Sequence, residues 1–142
     1  EITEDQLKIG EVKLKQQQDN YTKYRNTKNK ILVKLVQSKA DLLIGADAGG
    51  AYSVPGFAIV EEMKHHANAG LSNYQVLYAA TLNAAKYMNQ EDKWGTVSIN
   101  KTANLILLNS NPLEDLNNLN SVEGVFLNSQ YKTVKELEQG LK

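Results

Sequence analysis

The chain has 142 residues, 42% of them apolar and 23% charged, which suits one modest domain with a core of its own. Sixteen Lys and Arg balance 16 Asp and Glu, which argues against nucleic acid as a partner and leaves little charge repulsion to oppose self-association. Without cysteine there are no disulfides, thiolate metal sites or cysteine nucleophiles, and no apolar run nears the ~20 residues that span a bilayer.

The start, Glu1-Ile2-Thr3-Glu4-Asp5, is acidic and lacks the basic-then-apolar pattern of a signal peptide. No initiator Met is present, so a processed chain or a piece of a longer one is expected, soluble and either cytoplasmic or periplasmic. Thr3 and Gln6 have the spacing of a capping box and predict a helix start. Asp19 or Asn20 then caps a second helix, or one long helix runs through. Tyr21, Tyr24, Ile31, Leu32, Leu35 and Val36 mark its apolar stripe, with Lys23, Arg25, Lys28, Lys30 and Lys34 as the solvated remainder.

The helix ends near Ala40 and is followed by the most informative stretch, Leu42-Leu43-Ile44-Gly45-Ala46-Asp47-Ala48-Gly49. A short apolar run of this kind reads as a strand buried on both faces, as in parallel sheets and barrels. It ends on a carboxylate, at the end of the strand where α/β barrels place their chemistry. The glycines after it allow a tight turn or close approach to a ligand.

Ala51 to Gly56 has turn chemistry. Phe57, Ile59, Val60, Met63 and Ala67 outline a helix stopped by Gly70. Ser72 and Gln75 form another capping box, and Asn83 is expected to break that helix and cap a short one through Met88. Strands are expected at Gly95–Ile99, Ala103–Leu108 and Val122–Asn128, and a closing helix over Val134–Leu141. The first ~90 residues thus alternate helix and strand, and the rest is mostly antiparallel.

From Leu43 onward the order of elements resembles the metal-dependent amidohydrolase superfamily, particularly its imidazolonepropionase-like members. The pieces that carry the resemblance are Gly45-Ala46-Asp47-Ala48-Gly49, Pro55-Gly56-Phe57 leading to Glu61-Glu62-Met63, Ala69-Gly70-Leu71-Ser72 and Ala79-Ala80-Thr81-Leu82-Asn83-Ala84-Ala85. Trp94-Gly95-Thr96-Val97, the run Lys101 to Leu108, and Asn111-Pro112-Leu113-Glu114-Asp115 continue it. Each is weak alone; their collinear order is the signal.

The resemblance implies an α/β fold: the C-terminal fragment of a (β/α)8 barrel, with its last helices and eighth strand, plus the C-terminal strands of a small β-sandwich. On that reading residues 1–92 belong to the barrel and 93–142 to the sandwich and closing helix. Leu42–Ala46 is expected to be the eighth strand. Asp47 is expected to be both metal ligand and general base for water attacking a C–N bond in an amide or cyclic amide. The implied cofactor is a divalent metal, zinc being the family's commonest, held by the full-length enzyme and not by this chain alone.

Two departures stand out. Ala46 replaces the usual Thr or Ser before the Asp, and Asn104 replaces the Asp of the Lys-x-Ala-Asp-Leu run, the latter a structural change. The family's His-x-His pair, its strand-four Lys and its later histidines have no counterpart, because the histidines here are His65 and His66. Side by side on a helix, these point about 100° apart and cannot chelate one ion.

Without the flanking pieces, Asp47 would read as a turn or capping residue. Tyr52, in the loop after the strand where specificity residues gather, is the candidate substrate contact, and Met63 a second; packing explains both equally well. Helix capping explains Asn83, packing explains Thr81, and Gly45, Gly49 and Gly50 lack phosphate-binding spacing. The expected partners are a small amide-type substrate and a second copy of the chain, by homo-oligomerisation or strand exchange, with no nucleic acid and no membrane. A noncatalytic α/β module that pairs with another chain is the alternative function.

Overall fold

A computed structural model describes residues 4–50, 53–128 and 130–140. One continuous helix, α1, spans Glu4–Gln37, so the run-through reading holds and Asp19 and Asn20 cap nothing. Thr3, the expected cap, lies outside the described residues. Among the α1 residues whose burial is described, Gly10, Asn29, Leu32, Val33 and Val36 are half-buried, the last four along one face of the final turns. The apolar stripe therefore faces partly the wrong way. Tyr21, Tyr24, Ile31 and Leu35 lie in solvent, because the body touches α1 only along its last turns.

Helix α1 ends with Lys39 in the left-handed region (φ 59), its N–H donating to Val36 O while Ala40 N–H donates to Leu35 O. This paired arrangement is a Schellman ending. Helix α2 (Phe57–Asn68) ends the same way: Gly70 (φ 116) donates to Ala67 O and Leu71 to His66 O. Glycine fits there because a left-handed C′ position carries no Cβ penalty.

Helix α3 (Asn73–Ala80) opens on the Ser72/Gln75 capping box, both bonds of which form. Helix α4 (Leu82–Tyr87) is entered from Thr81 with no side-chain cap. The expectation that Asn83 caps it is thus corrected: Asn83 lies inside the first turn and its side chain bonds elsewhere. Thr81 turns its hydroxyl back to Leu77 O at 2.7 Å, spending it within the preceding helix.

The core gathers where α2, α3 and a 3-10 turn (Leu116–Asn120) meet, around Met63, Leu71, Val76 and Leu116. Leu32 and Val36 of α1 and Leu42 and Ile44 of the following segment pack against it. Val76 is fully enclosed, a burial that stabilises by about 1.5–3 kcal/mol.

The sheet is three-stranded and antiparallel in the order β1 (Leu105–Leu108), β2 (Val122–Leu127), β3 (Gln130–Thr133). Leu105 faces Phe126 and Leu107 faces Gly124, with a bulge before Leu108 pairs with Val122. Asn128 (φ 50) supplies the positive φ that the two-residue loop before β3 demands. Asn104 Oδ1 accepts from Asn128 N–H at 3.1 Å, the structural role expected of that position. Helix α5 (Val134–Gln139) closes the chain.

Two expected strands are absent. Gly95–Ile99 forms turns and bends, with Val97 84% and Ile99 92% exposed, because no described strand lies beside it to pair. Leu42–Ala46 belongs to no sheet, so the described residues contain no parallel ladder.

Candidate active site

The segment from Leu42 to Asp47 keeps one strand-like property without a partner. Leu42, Ile44 and Ala46 are half-buried while Leu43 and Gly45 are exposed, the period of two expected of an extended chain lying on helices. Its covered face rests on the core through Leu42 and Ile44. A strand hidden on both faces was expected; here one face is covered, and no described strand pairs with either edge.

Asp47 ends this segment with φ 46. Asp tolerates the left-handed region better than most residues, yet it is an uncommon place for a side chain and needs its surroundings to hold it. The carboxylate is exposed and has no hydrogen-bond or ion-pair partner among the described residues. A turn-capping Asp would accept a neighbouring backbone N–H; among the described residues Asp47 accepts none. The loop that follows closes on Ser53. Gly49 N–H donates to Ser53 O at 3.1 Å, Ser53 N–H donates to Gly50 O at 3.2 Å, and Ser53 Oγ reaches Ala46 O at 3.5 Å. Gly49 (φ 123) supplies the backbone freedom for that turn.

Tyr52, the candidate substrate contact, lies outside the described residues. Met63 is a core side chain, 6% exposed, and not a pocket liner. His66 Nδ1 lies 2.9 Å from Glu62 O one turn back, and 3.5 Å from the Glu62 carboxylate, so its chemistry is spent on its own helix. The α1 lysines lie on exposed turns.

Sequence reasoning missed the role of Asn83. Its Nδ2 donates to Leu42 O at 3.0 Å, across 41 residues, while its buried Oδ1 has no partner among the described residues. Beside it lies a groove of about 410 Å³ bordered by Val36, Asp41, Leu42, Tyr74 and Tyr78. Two charged groups elsewhere are engaged locally. Lys64 holds the Glu61 carboxyl below its ordinary range, and the Tyr78 hydroxyl raises the Lys86 ammonium above its own.

The metal implied by the resemblance is tested by what donors are present. No group of three His, Cys, Asp or Glu side chains is placed to share an ion among the described residues. Asp47, open and unengaged, fits as one donor of such a set and not as a whole site.

The Amidohydrolase family model matches residues 21–131. No curated protein matches the chain. Among solved structures, a Xaa-Pro dipeptidase with methionine bound in its active site is 24% identical, with TM-score 0.65, over 74% of this chain and 25% of that one. Molinate hydrolase is 20% identical at TM-score 0.65, over 71% of this chain and 25% of its own. Phenylurea hydrolase B is 24% identical at TM-score 0.64, over 70% and 25%. At these identities the likeness concerns the fold, and the chain spans about a quarter of each structure's length.

Proposed function

This chain belongs to the amidohydrolase family, and we propose that it supplies the C-terminal share of a metal-dependent hydrolase of C–N bonds. Residues 1–92 furnish the last helices and eighth strand of its barrel, and 93–142 the C-terminal share of its sandwich. Asp47 is one metal ligand and the general base. It takes a proton from the water that attacks the substrate carbonyl and returns it to the nitrogen as the C–N bond breaks. A bound divalent ion, zinc on the family pattern, polarises water and carbonyl. The remaining ligands come from protein outside this chain. Tyr52 follows in the loop that borders the substrate.

The observation that carries this reading is the exposed Asp47 carboxylate, without a partner among the described residues, at the end of a segment whose covered face rests on helices. The family match supports a hydrolase, and the structures of similar fold are named as a Xaa-Pro dipeptidase, molinate hydrolase and phenylurea hydrolase B. Metal analysis and turnover of the full-length protein test it. Asp47→Asn is expected to lower metal content and to reduce turnover at least 100-fold, within the range of lost general-base catalysis. Unchanged metal content and turnover would remove Asp47 from the site. The 142-residue chain alone is expected to hydrolyse nothing, since one carboxylate makes no metal site.

A second reading, a noncatalytic module that pairs with another chain, draws on the unpaired segment and exposed α1 stripe. The coding sequence upstream of Glu1 separates the two. A His-x-His near its start, with later histidines at strand ends, belongs to the enzyme.

A further inference from the structure

We propose that Asn83 and Ser53 are positioning residues for Asp47, an inference that rests on the role given to Asp47 above. In the segment Leu42–Ala46, two carbonyls receive a side-chain donor from the described residues. Leu42 O is held by Asn83 Nδ2 at 3.0 Å and Ala46 O by Ser53 Oγ at 3.5 Å. In an extended chain alternate carbonyls leave by the same edge, so the two holds grip one edge at its two ends.

Each donor residue has further ties of its own. Asn83 is 7% exposed, on the helix that carries the fully buried Ala85. Its buried Oδ1 has no partner among the described residues, which is a desolvation cost. A leucine would fill the same volume without that cost, so the amide is there for its donor. Ser53 is fixed by its own backbone bonds to Gly49 and Gly50, which deliver its hydroxyl to Ala46. The Ala46 carbonyl belongs to the peptide whose nitrogen is that of Asp47. Restraining that plane restrains the N–Cα bond of Asp47, from which its carboxylate projects.

The test titrates zinc ion alone into the full-length protein against a chromophoric chelator. Groups that orient a ligand are worth about 10- to 100-fold in metal affinity. Ser53→Ala is expected to weaken zinc binding about tenfold, and Ser53→Thr, which keeps a hydroxyl, to restore it. Asn83→Ala is expected to weaken it comparably; if that variant fails to fold, the Ser53 pair decides. Zinc affinity unchanged by Ser53→Ala, in a protein where Asp47→Asn abolishes binding, overturns the inference and leaves Asp47 standing. Full zinc affinity in Asp47→Asn overturns the reading beneath it, and the inference falls too.

Discussion

Gly95 adopts φ +93, and a Cβ built there would lie 2.6 Å from the Cβ of Ala85 and 3.2 Å from Leu82 Cα. Both neighbours belong to α4, so neither gives way as the tip of a flexible side chain would. Gly95→Ala is expected to destabilise by about 2–5 kcal/mol, through forced overpacking and a strained backbone. Gly10, within α1, meets nothing within 4 Å. Gly10→Ala is expected to stabilise by about 0.5–1 kcal/mol, because alanine loses less backbone freedom in a helix. Urea denaturation of both variants reads the opposite signs; equal shifts would contradict the packing around Gly95. The same separation of local from distant causes decides what the sequence reveals about the site. The place of Asp47 at the end of the Leu42–Ala46 segment is legible because an apolar run leads straight to it. The bond from Asn83 to Leu42 is not, since it joins positions 41 residues apart and nothing in either neighbourhood announces it.

Helix α5 depends on a reciprocal cap. Thr133 N–H and Oγ donate to Glu136 Oε2 at 2.8 and 2.7 Å, and Glu136 N–H donates back to Thr133 Oγ at 3.3 Å. The bonds from Thr133 favour the ionised carboxyl and hold its pKa below the ordinary glutamate value. A depressed folded value means the cap is fully present above the unfolded pKa and lost as pH falls through the folded one. Acidification is therefore expected to fray Val134–Gln139, seen as Cα chemical shifts moving toward coil. Glu136→Gln removes the titrating group and is expected to flatten that dependence; a parent profile already flat would refute the account. Elements whose signals are local, such as the Ser72 capping box and the Gly70 ending, are legible in the sequence for the same reason as this cap. Strand β3 is not, because Gln130-Tyr131-Lys132-Thr133 carries one large apolar side chain and owes its place to pairing with β2. Gly95–Ile99 fails in the opposite sense: it alternates correctly but has no partner among the described residues.

The whole molecule exposes 11233 Å² at a mass of 15.8 kDa. A folded monomer of that mass exposes roughly 7,300 Å², so the excess is about 3,900 Å², more than two standard protein interfaces. Its sources are visible. Helix α1 stands off the body over residues 11–28, and Tyr21, Tyr24, Ile31 and Leu35 line its open side. Ile106 of β1 and Leu127 of β2 are more than half exposed as well. With zero net charge, little repulsion keeps two such surfaces apart. The same surfaces would be covered by the rest of a larger hydrolase if the proposed function holds, which fits a chain spanning about a quarter of similar structures. In the 142-residue chain by itself they remain open, and Leu42–Ala46 pairs with no strand among the described residues. The chain alone is therefore expected to associate with further copies, by packing of α1 or exchange of the unpaired segment. Light scattering should give a mass above 15.8 kDa that rises with concentration. Charge substitutions at Tyr24 and Ile31 should lower it if α1 is the contact. A monomer that persists across a wide concentration range would mean that the exposed stripe and the open edge do not attract one another.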